Sequence, residues 1–175
     1  MRGILTVLKV LLVLAVLAVG AAAVIGMALP AGHEATRSAR IDVPIAAVYP
    51  VLITPENYPD WRPDVTRVER LDSDRFREYW EDGPVVFRIL ERDPPSRVVI
   101  TLDDPGQPFS GTWTFELTPE GRQGEWTRLR ITERGEVPNP IYRAMARVLM
   151  RPADSLEQYL RNLGRRFSQD VTIEP

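Results

Sequence analysis

Two glutamates are the residues of this sequence best placed to do acid–base chemistry. Glu78 lies between Phe76 and Trp80, and Glu133 lies two residues after Ile131, so each glutamate alternates with apolar residues. Side chains two residues apart on a β-strand lie on the same face, which predicts that both carboxyls face an apolar interior. A carboxyl in such surroundings has a raised pKa and can act as a general acid or base. The alternative is a structural role, in which each glutamate pairs with an arginine.

The composition excludes most other kinds of catalytic or metal site. The 175 residues include no cysteine and a single histidine, His33. A disulfide scaffold, a thiolate metal site and a cysteine nucleophile are therefore impossible, and neither a multi-histidine metal site nor a Ser-His-Asp triad is expected. The net charge of −2 argues against nucleic acid as a partner, because phosphate contacts need a basic surface. We expect no metal and no cofactor, and we interpret His33 as a solvated linker residue.

The N-terminal segment is apolar enough to cross a membrane. The twenty residues from Val10 to Leu29 carry no charged side chain, and twenty helical residues span about 30 Å, the thickness of the hydrocarbon core. The apolar stretch already begins at Ile4, so Lys9 lies about one turn inside it and can extend its amine to the headgroups. A cleaved signal peptide is the alternative, but the apolar run continues past Ala21–Ala23, and Pro30 would fall at the other cleavage position. The sequence therefore favours an uncleaved anchor.

The charges on either side of this segment bear on its orientation. Arg2 and Lys9 lie on the N-terminal side, and Arg37 and Arg40 lie on the other side with Glu34 nearby. The positive-inside rule then slightly favours an N-terminus in the cytoplasm. We therefore expect a single-pass protein of the cytoplasmic membrane whose soluble domain lies on the periplasmic or extracytoplasmic side.

Prolines and short turn clusters divide the rest of the sequence into strands and helices. Alternating apolar residues predict seven strands, at residues 34–43, 65–71, 76–81, 85–92, 97–103, 111–118 and 125–137. A short helix is predicted over 45–53, and residues 140–167 are predicted to form a long amphipathic helix that Pro152 kinks or splits near Met150. Short turns join antiparallel neighbours. The pattern predicts an α+β fold in which one curved antiparallel sheet wraps around the C-terminal helix.

Several motifs in this region resemble those of a known superfamily. Ile41-Asp42-Val43-Pro44 and Asn57-Tyr58-Pro59-Asp60-Trp61-Arg62-Pro63 resemble the opening of the START-related, birch-pollen-allergen-like superfamily called SRPBCC. Within it the sequence is most similar to the polyketide cyclase/dehydrase and lipid-transport group, since residues 111–117 and 136–140 resemble later strands and the entry into the final helix. The resemblance implies a helix-grip fold of seven antiparallel strands around the C-terminal helix, with an apolar cavity between them. Members bind lipids, sterols, isoprenoids or polyketides, and only some are enzymes.

The resemblance and the anchor together predict how the chain is organised. Residues 1–30 are expected to form the transmembrane anchor, 31–34 a linker, 35–167 the ligand-binding domain and 168–175 a C-terminal tail. The residues expected to line the cavity are apolar or aromatic apart from one glutamate: Tyr58, Trp80, Phe87, Phe109, Trp113, Phe115, Ile131, Glu133, Met145, Leu149 and Leu156.

Two classes of function remain open on this evidence. The first is a membrane-anchored, non-enzymatic binding module for a hydrophobic small molecule or lipid, which uses apolar burial for affinity and a few polar groups for orientation. The second is an enzyme of the cyclase/dehydrase type that uses Glu78 or Glu133 as its general acid or base. The resemblance specifies the fold, and a fold alone does not decide between these functions.

The C-terminal helix carries two further features of interest. Residues 140–166 contain six arginines against two acidic residues, a net charge of +4, whereas residues 32–139 carry a net charge of −6. Arg143, Arg147 and Arg151 lie four residues apart and form one stripe, which either pairs with acidic residues of the sheet or contacts anionic headgroups. The bend at Pro152 suggests a lid in the first half of the helix, and the alternative is that Pro152 simply starts a second helix.

Overall fold

A long apolar helix begins the chain. The computed structural model describes residues 2–149 and 152–175, and its first element is α1, Arg2–Ala28. Within α1, the 23 residues Thr6–Ala28 are long and apolar enough to cross a membrane, since they extend about 35 Å. The large apolar side chains of α1, from Ile4 to Met27, are mostly exposed. A helix that is apolar on all sides needs apolar surroundings.

The remainder of the chain is built on one antiparallel sheet of eight strands. The strands are β1 Gly32–Ile41, β2 Arg67–Arg70, β3 Arg75–Trp80, β4 Gly83–Asp93, β5 Arg97–Leu102, β6 Ser110–Glu120, β7 Trp126–Glu136 and β8 Ile173–Glu174. Their order across the sheet is β2-β3-β4-β5-β6-β7-β1-β8. The seven strands predicted from apolar alternation are confirmed, because each short turn cluster joins neighbours that pair in this order.

The two ends of the sheet region differ from expectation. β1 begins at Gly32 and pairs with β7 from Gly32↔Glu136 onward, so most of the residues expected to form a linker belong to a strand. β8 lies in the expected tail, where Ile173 pairs with Ala39 of β1. Ile173 and the nearby Val171 pack against the core. Two apolar residues are too few to produce a recognisable alternation, so the sequence did not predict this strand.

Three short helical segments pack against the sheet. α2, Ile45–Ile53, buries Val48 and Leu52, and a 3-10 helix, Pro55–Asp60, follows it and buries Tyr58. Near the C-terminus α4, Pro152–Arg166, lies on β1 and β7. Its buried leucines are spaced four and three apart, as an amphipathic helix requires, and they are Leu156, Leu160 and Leu163.

The predicted C-terminal helix is divided into two helices. α3, Pro140–Leu149, precedes α4, and the expected break near Met150 falls outside the described residues. α4 packs on the sheet as predicted, whereas α3 packs against α1. Among the described residues, no side chain of α3 belongs to the main hydrophobic core. Therefore only α4, the second half of the predicted helix, packs against the sheet.

Candidate ligand-binding site

A row of aromatic side chains crosses the inner face of the sheet. Phe76 of β3 and Phe87 of β4 are ladder partners and stack with ring centroids 5.7 Å apart. Trp80 and Trp113 lie 5.8 Å and 5.9 Å from Phe87. The two phenylalanines are buried, but both tryptophans are only partly buried. The row therefore runs from the core to an end of the inner face that other side chains leave partly uncovered.

The position of Trp113 depends on a glycine in its own strand. The indole lies so close to Gly111 that a Cβ at that residue would be 2.7 Å from the Trp113 Cη2 atom. Any other residue at position 111 would displace the ring. The close approach keeps the indole near the sheet.

An open depression continues from this end of the aromatic row. It has a volume of about 650 Å³ and is lined by residues of the β5–β6 connection and of the segment before α3, including Leu102, Phe109 and Pro138. Leu102 is the ladder partner of Phe87, which joins the depression to the aromatic row. Toward α4 the interior is filled instead, because Tyr159 packs its ring 5.1 Å from Trp61 and 5.3 Å from Phe115.

The predicted cavity residues are distributed between the core and this open end. Those packed in the hydrophobic core are Tyr58, Phe87, Phe115, Ile131 and Leu156. Trp80, Trp113 and Phe109 are partly buried at the open end. Met145 is 49% exposed on α3 and does not join either group. The side chain of Leu149 lies outside the described residues.

Glu78 belongs to a buried ion pair. Its side chain accepts a hydrogen bond from Arg62 Nη1 at 2.9 Å and one from Trp80 Nε1 at 2.7 Å, and the residue is 2% exposed. Burial raises the pKa of the Glu78 carboxyl, and the Arg62 guanidinium offsets part of that effect. Arg62 also binds Asp64 at 2.7 Å. This is the structural role given above as the alternative to catalysis, in which the glutamate pairs with an arginine. The hydrogen bond from Trp80 also fixes the orientation of its indole.

Glu133 has a different environment on the same sheet. The residue is 9% exposed, and its two carboxylate oxygens lie 3.3 Å from His33 Nε2 and 3.3 Å from Ser155 Oγ. Trp113 is its ladder partner on β6. The carboxylate stands between the serine and the histidine, which differs from the order of a nucleophilic triad, where the histidine is central. The arrangement can bind a hydroxyl group of a ligand.

The interpretation of His33 as a solvated linker residue is corrected by this geometry. His33 lies in β1, opposite Gly135, and its ring covers that glycine so closely that a Cβ there would overlap the imidazole. The partners Arg62, which lies in the Asn57–Pro63 motif, and Ser155 were not predicted from the sequence. No local pattern signals either contact, because each joins elements far apart in the chain. Within the described part of the chain, no cluster of three metal-ligating side chains occurs.

Comparisons with known proteins agree on the fold. Among curated protein sequences, no match to this chain was found. A START superfamily protein from Mycobacterium smegmatis superposes with a TM-score of 0.61 at 18% identity, covering 77% of this chain and 96% of that one. A conserved protein from Geobacillus kaustophilus gives a TM-score of 0.63 at 14% identity, covering 82% and 100%. A truncated norcoclaurine synthase from Thalictrum flavum gives 0.64 at 9% identity, covering 78% and 94%.

The sequence also matches a family model directly. The matched region is residues 32–168, well over half of the chain, and the model describes polyketide cyclase/dehydrase and lipid transport proteins. This region contains the whole aromatic row, both glutamates and the strands β1 to β7. The chain therefore belongs to the polyketide cyclase/dehydrase and lipid transport family and has the START-like fold of the SRPBCC superfamily.

Proposed function

We propose that this protein is a membrane-anchored binding module that holds a hydrophobic ligand, a lipid or an isoprenoid-like molecule, against the inner face of its sheet. The observation that carries this proposal is the uncovered end of the aromatic row. There Trp80, Leu102 and Trp113 are partly exposed, and Leu102, the ladder partner of Phe87, also lines the 650 Å³ depression. Covering apolar surface of this kind with a ligand is favourable, at about 25 cal/mol for each Å² removed from water.

The N-terminal helix supports the same function. A helix as long and apolar as Thr6–Ala28 would hold the domain at a bilayer, where hydrophobic ligands are concentrated. The slight excess of positive charge before this helix favours a domain on the extracytoplasmic side. An anchored binding domain of this kind would exchange its ligand with the membrane beside it.

The polar groups of the site have separate roles under this proposal. Glu78 is already paired with Arg62 and serves to position Trp80. Glu133 and His33 form a second polar point, joined by a 3.3 Å contact, next to the strand that carries Trp113. A ligand with a hydroxyl or a carbonyl group can be oriented there, while its apolar part lies along the aromatic row.

Mass spectrometry of the full-length protein purified in mild detergent tests the proposal. Trp113→Ala removes part of the apolar wall, and Trp126→Ala is a matched control, because Trp126 lies on the outer face beneath Arg40. If the ligand covers about 60 Å² of the Trp113 indole, the loss is about 1.5 kcal/mol, or roughly tenfold in affinity. Wild type and Trp126→Ala should retain a long-chain lipid that Trp113→Ala loses. Equal occupancy in the two variants would contradict this site.

A cyclase/dehydrase-type enzyme is the second candidate, and one observation favours it. Glu133 is a nearly buried carboxyl in contact with the only histidine of the chain, which is a pairing suited to moving a proton. One protein of similar fold is named a synthase. In the same mass spectrometry experiment, a bound polycyclic aromatic molecule or its open-chain precursor would favour the enzyme over the lipid-binding module.

A further inference from the structure

The helix α3 has an apolar face that the rest of the domain leaves uncovered. Tyr142 and Met145 lie three residues apart, on one side of the helix, and are 50% and 49% exposed. Pro140, Arg143 and Ala144 lie on the opposite side, and Ala144 is buried. From this arrangement and from the contact of α3 with α1, we infer that Tyr142 and Met145 insert into the lipid bilayer at the headgroup boundary. The inference rests on the proposed membrane anchor.

Close packing holds α3 against the last turns of α1. Gly26 is buried in this contact, and a Cβ at residue 26 would overlap the carbonyl group of Pro140. Ala22 and Ala23, one turn earlier, are partly buried, whereas Val24 and its apolar neighbours remain exposed. The backbone of α3 therefore lies directly beside the end of the apolar segment.

Arg143 fastens the same contact by hydrogen bonding. Its Nη1 donates to the carbonyl oxygens of Gly26 at 3.0 Å and Leu29 at 2.9 Å. Its Nε and Nη2 donate to the carbonyl oxygens of Val137 at 2.9 Å and Pro138 at 2.8 Å. The last carbonyls of a helix have no partner within the helix, and a cation there is favourable to the helix dipole. One guanidinium thus joins the end of α1 to the start of α3.

This attachment determines the depth of α3 relative to a bilayer. Gly26 is two residues from the end of the Thr6–Ala28 segment, so an element packed on it lies where hydrocarbon gives way to headgroups. Tyrosine is enriched at this boundary, where its ring and hydroxyl suit the two sides of it. Methionine supplies an apolar side chain beside it. The chemistry of this face therefore matches a lipid surface.

The position of α3 also places the entrance of the proposed binding site. Pro138 and Asn139 immediately precede α3 and line the depression beside Leu102 and Phe109. With α3 in the headgroup layer, this depression opens at the membrane surface. An apolar ligand then passes between bilayer and inner face without crossing bulk water. The first half of the C-terminal helical region is thus a membrane-bound rim of the entrance.

Single-cysteine labelling tests this inference, since the chain has no native cysteine. We would label Met145→Cys, Leu14→Cys in the middle of α1, and Ser73→Cys in the exposed β2–β3 turn with an environment-sensitive fluorophore. The full-length variants would be placed in phosphatidylcholine vesicles with a minor fraction of phosphatidylglycerol. Lipids that carry a quencher on the acyl chain should reduce fluorescence at residues 14 and 145 and leave residue 73 unchanged.

Two glycines of α1 provide a matched pair for the packing argument. Gly26→Ala should force α3 away from α1 and reduce quenching at residue 145, whereas Gly20→Ala, which has open space around it, should not. Neither change should alter quenching at residue 14. Quenching at residue 14 with none at residue 145 would overturn the inference and leave the anchor intact. No quenching at residue 14 would overturn the anchor itself, and unchanged quenching in Gly26→Ala would show that the α1 contact does not position α3.

Discussion

The two inward-facing glutamates differ in how many of their hydrogen-bonding positions are already occupied. Glu78 accepts from both Arg62 and Trp80 at distances below 3 Å, within the protein core. Glu133 has longer contacts of 3.3 Å to His33 and Ser155 and sits opposite Trp113. A carboxylate with long hydrogen bonds exchanges a protein partner for a ligand more easily than a carboxylate held in a short ion pair. Glu133 is therefore the better candidate for contact with a bound molecule.

The buried Arg62–Glu78 pair leads to a stability prediction. Glu78→Gln keeps the shape of the side chain but leaves the Arg62 guanidinium without its buried partner, so we expect a loss of about 3 kcal/mol in unfolding free energy. Removing both charges with Arg62→Met and Glu78→Gln should cost less than the two single changes added together, by about 1 kcal/mol or more. Chemical denaturation followed by tryptophan fluorescence measures both quantities. Strictly additive losses would show that the pair makes no net interaction.

The inward direction of both glutamates could be predicted from alternation alone, because strand geometry fixes which side chains share a face. Their partners could not be predicted in this way. Arg62 lies after the 3-10 helix and reaches a strand 16 residues away, and His33 and Glu133 are 100 residues apart. Contacts of this kind depend on the sheet order, which brings β1 beside β7. Spacing along the sequence does not show that β1 and β7 become neighbours in the sheet.

The two C-terminal helices, α3 and α4, show the limit of what apolar periodicity can predict. The apolar spacing of residues 140–167 predicts an amphipathic helix, and both α3 and α4 are amphipathic. Periodicity identifies an apolar face, but it does not identify which neighbour covers that face. Leu156 and Leu160 meet the sheet, whereas Met145 on α3 does not. The buried Gly26 of α1 shows the actual neighbour of α3.

Removal of α1 tests how independent the rest of the chain is of this helix. Deleting residues 2–30 should leave a folded domain, because no residue of α1 belongs to the hydrophobic core within the described chain. Arg143 would lose its acceptors on Gly26 and Leu29, so α3 should fray while the sheet and α4 remain intact. Hydrogen exchange should then be fast in α3 and slow in β6 and β7. Aggregation, or loss of a cooperative unfolding transition, would show that α1 is part of the folding unit.

Across the whole molecule, the proposed anchor, rim and binding site adjoin one another. α3 packs against the end of α1, and Pro138 and Asn139, which precede α3, line the depression beside Phe109. The acidic sheet region and the basic C-terminal helices divide the charge of the molecule, with −6 over residues 32–139 and +4 over residues 140–166. Arg143 of the basic region hydrogen-bonds to Gly26 at the end of α1.

The fold as a whole was predictable, because motifs such as Asn57–Pro63 resemble those of a family of known fold, and the family match over residues 32–168 confirms it. The packing of α3 on α1 was not predictable, since that match begins at residue 32 and α1 lies before it. A family resemblance describes the shared domain and gives no information on elements outside it. The proposed route between membrane and site therefore depends on the contact between α1 and α3.

Photo-crosslinking with a lipid tests whether an acyl chain enters the domain from the membrane. A phospholipid that carries a diazirine near the end of one acyl chain would be incorporated into nanodiscs with the full-length protein, and cross-linked peptides would be mapped by mass spectrometry. We expect cross-links in β3 and β6, in the peptides that contain Trp80 and Trp113, in addition to cross-links in α1 and α3. Cross-links confined to α1 and α3 would contradict the proposed binding site, because the acyl chain would then reach these two helices without entering the domain.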